Sequence, residues 1–271
     1  MNKPIYKLRD WIDESKLNWN DLCHNENAIE LLKKNPNKIN WDYLSINPKA
    51  IEILKDNLDK VNWNYLSLNE NAIEILKENK DKINWDYLSE NKNAIKILEE
   101  NPDKINWNYL SKNENAIELL KENPNEINIH YLSLNKNINK LIKEILNIKL
   151  SFIFLSANSN AIKILKENPD KINWNYLSSN ENAIDLLKEN FDKIYWRKLS
   201  LNTNAIELLK ENQDKIDWDY LSKNPSIFEL DYEQMKINLE PLTEEIIKEV
   251  MHPKRVFKNP DYDYIEELFG D

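Results

Sequence analysis

The 271-residue sequence predicts an all-α fold: an α-solenoid of about ten 22-residue repeats, each of two short helices, between N- and C-terminal caps. Three observations predict it. Trp19, Trp41, Trp63, Trp85 and Trp107 are each 22 residues apart, and Trp174, Trp196 and Trp218 resume the period after Ile129 and Phe152 occupy the slot. Within a copy, Ala72, Ile73, Ile75 and Leu76 fall on one helical face, and strict alternation is absent. The chain holds a single glycine, Gly270, which removes the primed hairpin turns and the glycine-dependent phosphate and dinucleotide loops.

The first helix of a copy opens where Asn47-Pro48 and Asn224-Pro225 place an N-cap before a proline at the first helical position. It ends at Asn79 and its equivalents, read here as left-handed caps, and Pro36, Pro102, Pro124 and Pro169 follow where a helix cannot continue. The second helix opens at Asn84, with Asn18, Asn40, Asn62, Asn106, Asn128 and Asn173 as equivalents and Asp217 and Tyr195 as variants. It is too short to be stable alone, so neighbouring copies must support it. Stacking at ~8–10 Å per copy predicts a curved rod roughly 80–100 Å long. The expected boundaries are an N-terminal cap over 1–17, the solenoid over 18–225 with an irregular copy near 126–157, and a helical cap over 226–271.

The repeated Asn-Ala-Ile-x-Leu-Leu-x-x-Asn-Pro-Asp-Lys-Ile-x-Trp-x-x-Leu-Ser unit resembles the Asn- and Trp-rich repeats encoded by giant DNA viruses of protists. The opening Leu8-Arg9-Asp10-Trp11-Ile12 and the closing His252-Pro253-Lys254-Arg255-Val256 are similar to the ends of those proteins. The resemblance implies a repeat protein from an AT-rich viral genome and implies no reaction.

Internal repetition shows what each slot tolerates. The Trp slot accepts only Trp, Ile129 and Phe152, which reads as a dry core row. The slot two residues on holds Tyr43, Tyr65, Tyr87, Tyr109, Tyr131, Phe154, Tyr176 and Tyr220, but also Asp21 and Lys198. A slot that takes Asp and Lys touches water, so the tyrosines are expected to be half-buried, and they form the candidate partner-contact strip. Lysines three residues before each Trp slot, with Glu126 as the exception, read as solvated loop residues neutralised by acidic neighbours such as Asp81 and Glu78.

Composition narrows function. A net charge of −10 argues against nucleic-acid binding, because phosphate neutralisation dominates that affinity. The three His residues, His24, His130 and His252, are dispersed, so no metal cluster is visible and no cofactor is expected. The lone Cys23 sits in a slot held elsewhere by Ser45 and Ser67, which reads as a structural substitute. Acidic residues recur in every copy, with no singular catalytic pair. No apolar run reaches membrane-spanning length and no secretory signal is seen, so an intracellular setting, in host cytoplasm or virion, is expected. The sequence therefore points to a non-enzymatic scaffold that binds a protein partner. The other readings are a virion assembly component and an adaptor whose Pro241–Ile247 segment has an F-box-like character. His252, Lys254 and Arg255 form a second candidate docking point.

Overall fold

The computed structural model describes residues 4–138 and 151–250. The protein is an all-α repeat solenoid, with one small strand pair among the described residues. Contacts divide the chain into a repeat unit, Leu8–Phe228, and a smaller unit made from the residues on either side of it.

Each described repeat is built from two short helices joined by 3-10 or other tight turns. In the best-formed copies the Ile helix spans Ile73–Glu78, a 3-10 turn Lys80–Lys82, and the Trp helix Trp85–Glu90. Asn84 caps the Trp helix by accepting the N–H of Tyr87, and Asn18, Asn40, Asn62, Asn106, Asn128 and Asn173 act alike. Asp217 caps in the same way, whereas Tyr195 has no side chain that can. The Asn at the end of the Ile helix is not left-handed as expected. Asn79 has φ −130° and ψ 52°, and its side-chain amide donates to the carbonyl of Ile75 at 2.9 Å. The residue satisfies an orphan carbonyl with its side chain, so no positive φ is needed.

The dry core is not the Trp row. Leu22, Leu44, Leu66, Leu88 and Leu110 of the Trp helices, and Leu32, Leu54, Leu76 and Leu98 of the Ile helices, are fully buried, as are Ala28, Ala50, Ala72 and Ala94. All eight tryptophans of the row are only half-buried. The slot takes Ile129 and Phe152 because one apolar wall is enough on its inner side.

Polar rows tie one repeat to the next. Asn91 is buried; its amide donates to the carbonyls of Ser67 and Asn69, both at 3.0 Å, while its Oδ1 accepts the N–H of Asn93. The hydroxyl of Ser89 donates to the Trp85 carbonyl and accepts the N–H of Asn106 at 2.9 Å. Cys23 does the same with its sulfur, donating to Trp19 and accepting from Asn40, both at 3.3 Å. No buried side-chain polar atom among the described residues lacks a partner.

The ladder has no open end. Asn25 of the first repeat donates to the carbonyls of Ser222 and Asn224 of the tenth, at 3.0 and 2.9 Å. Asn18 N–H donates to Ser222 Oγ at 2.9 Å, the Asn18 amide to Asp219, and the Asn27 amide to Pro225. Each bond repeats the type made between successive copies. The expected rod is therefore a ring of ten repeats, because steps of about 36° per repeat complete a turn. Arg9 adds two bonds at the closure, to the carbonyls of Ile227 and Ser226. The irregular copy does not interrupt it: Ser151 N–H donates to Ser133 Oγ, and Asn158 donates to the carbonyls of Ser133 and Asn135. The expected lengthened helix there falls on residues 139–150, outside the described residues.

The strands β1 (Tyr6–Leu8) and β2 (Phe228–Leu230) pair with each other, with Asp231 N–H donating to Ile5 and Lys7 facing Glu229. A helix, Tyr232–Val250, follows, with Asp231 accepting the N–H of Gln234.

Candidate functional site

Side chains on the concave side of a curved stack converge, and those on the convex side diverge. The tyrosine row converges. Ring centroids of Tyr65 and Tyr87 are 6.2 Å apart, Tyr87 and Tyr109 6.1 Å, Tyr109 and Tyr131 5.8 Å, and Phe154 and Tyr176 5.8 Å. These spacings are well below the ~8–10 Å of packed helices. His24 extends the row beside Tyr43 at 4.8 Å, and His130 meets Phe154 at 6.1 Å. At the other end Arg197, Lys198 and Lys223 surround the ring of Tyr220, the guanidinium carbon at 4.6 Å.

The row is half-buried, as the sequence indicates, with Tyr131 just exposed at 37%. Of the seven candidate tyrosines, Tyr65, Tyr87, Tyr109 and Tyr131 form one continuous run; Tyr43, Tyr176 and Tyr220 lie in the same slot of their repeats beside other partners. Burial, and then the neighbouring Tyr131 and Tyr87, push the Tyr109 hydroxyl up, so it remains a hydrogen-bond donor at neutral pH.

No family model, curated protein or solved structure matches this chain.

Two further tiers border the concave face, and sequence reasoning missed both. Three residues beyond the tyrosine slot stand Ile46, Leu68, Glu90, Lys112 and Leu134; five beyond it stand Glu70, Lys92, Glu114 and Lys136. All nine line one cavity of about 290 Å³ that touches five consecutive repeats. Lys112 pairs with Glu90, and Lys92 with Glu70 and, at 3.7 Å, with Glu114. The hydrogen bond to Glu70 raises the Lys92 ammonium above its ordinary value. The available signal was variability: residue character changes in these slots from copy to copy, while the slot before the first stays Ser or Cys and the slot between the two stays Asn.

The lysine row is more than a solvated loop. The ammonium of Lys38 lies 3.9 Å from the ring centroid of Trp19, Lys82 4.4 Å from Trp63, Lys193 4.5 Å from Trp174, and Lys215 4.6 Å from Trp196. Lys16 reaches Trp218 across the ring closure at 5.0 Å. In these repeats and at Lys60 over Trp41 the cation covers the wet face of the half-buried indole, a contact worth about 0.5–1 kcal/mol at exposed sites; Trp85 and Trp107 have no such cover.

Around His24 the closure brings Asp21 and Lys223 together at 2.9 Å. Burial first, and then the Lys223 ammonium, hold the His24 imidazole below its ordinary value, against the pull of Asp21. Burial pushes the Cys23 thiol up, which suits its role as a hydrogen-bonding spacer. Among the described residues no group of three or more metal-ligating side chains assembles, and no helix is long and apolar enough to cross a membrane. His252, Lys254 and Arg255 lie outside the described residues.

Proposed function

We propose that the protein is a non-enzymatic binding scaffold that engages a protein partner through the concave face of its repeat ring. One observation carries the reading. A run of half-exposed tyrosines, Tyr65 to Tyr131, faces inward at a spacing near 6 Å, while the repeats are joined by Asn, Ser and main-chain bonds that do not use the tyrosine hydroxyls. Tyrosine offers a large amphipathic surface at low conformational-entropy cost. The ring holds it in place beforehand, so little ordering is needed on binding. The variable tier of Ile46, Leu68, Glu90, Lys112 and Leu134 supplies the differences from repeat to repeat that a specific partner requires.

End-to-end stacking is less well supported, because closure pairs the end faces of the first and tenth repeats with each other. A virus-encoded origin belongs to this proposal through the sequence resemblance alone. The test is the triple change Tyr65→Ser, Tyr87→Ser and Tyr109→Ser. Affinity capture followed by mass spectrometry should lose specific partners that the parent retains, with only a modest fall in melting temperature. A variant altered at exposed Glu74 and Glu118 of the Ile helices should retain them. Unchanged capture by the triple variant removes the proposal, and collapse of its fold assigns the row to the core.

A further inference from the structure

Two tryptophans of the row, Trp85 and Trp107, have no lysine over the ring; at Trp85 the equivalent Lys104 pairs with Asp103, whereas at Trp107 the lysine itself is replaced. In six repeats a lysine ammonium sits 3.9–5.0 Å from the indole centroid, always from the residue three positions before the next Trp slot. At the fifth repeat that position is Glu126, so the residue over the Trp107 seat is an anion. The residue before it is Asn125, where most other repeats carry Asp, and the local Asp-Lys charge balance is lost. A surface cavity of about 490 Å³ opens at this place, lined by Trp107, Glu126, Asp86, Asp103, Lys104 and Asn106. Lys104 is paired with Asp103 at 3.4 Å, and Asp86 accepts the Asn106 amide at 2.8 Å. Glu126 and the half-buried indole both line this open, mostly polar depression.

We infer that the Trp107–Glu126 cavity is a binding seat for a primary alkylammonium group supplied from outside the chain. The protein itself demonstrates the chemistry: the same indole geometry, in six other repeats, holds a primary ammonium over its face. An aromatic face attracts a cation through its quadrupole, and an adjacent carboxylate adds charge attraction that the lysine-bearing seats lack. The seat uses no residue of the tyrosine row, so it stands or falls separately from the function proposed above. Two sources share this chemistry, the side chain of a lysine in a partner protein and a free aliphatic diamine.

The test follows the indole N–H signals of the ¹⁵N-labelled full chain, with Trp107 assigned through Trp107→Phe. The probes are Nα-acetyl-lysine-N-methylamide and 1,4-diaminobutane at low ionic strength. Both should shift the Trp107 signal saturably while Trp63, covered by Lys82, barely moves. Glu126→Gln should weaken the response several-fold. Glu126→Lys restores the residue found in the other loops, so it should fold normally and weaken binding at least about tenfold. Added salt should weaken it too. The tighter probe identifies the source. If the Trp107 signal moves no more than that of Trp63, or if Glu126→Lys leaves the titration unchanged, the seat does not exist.

Discussion

Asparagine makes up about one residue in six of this chain, and nearly every recurring position has its own hydrogen-bond task. Asn84 caps a helix start and Asn79 a helix end, while Asn91 ties its own turn to the main chain of the preceding repeat from inside the core. These tasks differ in cost. Asn84→Ala exposes N–H groups that water can reach, and should cost about 1 kcal/mol. Asn91→Ala strands two buried carbonyls and one N–H, and should cost about 3 kcal/mol. Urea unfolding of the two variants checks the ordering; equal costs would place Asn91 in contact with water. A second prediction concerns His24. Its folded-state affinity for a proton is depressed, so the unfolded chain protonates first as pH falls. Its contribution is complete above the ordinary histidine value of about 6.5 and is lost as pH falls through the folded value. The melting temperature of the parent should therefore drop more between about pH 7 and pH 5 than that of His24→Leu, whose leucine matches Leu68 and Leu134 in the same slot.

At the level of the element, the Trp helix is held by what it leans on. Its leucine is fully buried, whereas its tryptophan is only half-buried, in six repeats beneath a lysine. Leu88→Ala should cost about 3 kcal/mol through the cavity it leaves. Trp85→Phe should cost under about 1 kcal/mol, since Phe152 already fills that slot in the seventh repeat. Thermal or urea melts of both variants decide the point, and a larger loss for Trp85→Phe would return the indoles to the core. The tyrosine row was legible from Asp21 and Lys198, because a slot that accepts charge has to meet water. The indole row was misread because tolerance of Ile and Phe reports an apolar wall on one side and says nothing of the other. The spacing that pairs a Trp with the lysine three residues before the next was written in the sequence, including its exception at Glu126, but not the exception at Lys104, which turns to Asp103 and leaves Trp85 uncovered. Its meaning required knowing that the loop folds back over the ring.

For the repeat unit as a whole, closure is the decisive feature. In an open stack Asn25 would lie at the end, its amide would face water, and Asn25→Ala would cost little beyond a lost cap. In the ring it donates to Ser222 and Asn224 as Asn91 does to Ser67 and Asn69. The two alanine variants should therefore be destabilised alike, by about 3 kcal/mol each. Urea unfolding measures this directly, and a near-neutral Asn25→Ala would reopen the ring. Closure also gives every repeat two neighbours, which matters when no single copy can bury its own core.

The 22-residue period, the two helices per copy, the capping asparagines and the wet tyrosine row follow from the sequence, because each depends on residues close together in the chain and is tested ten times over. The ring, the burial of leucine and asparagine in place of tryptophan, and the lysine cover over six of the indoles were decided only by tertiary structure. A small rotation at each step leaves no mark on any one repeat. Only its sum brings residue 18 to residue 222 and sets which faces converge, and that sum determines where water is excluded.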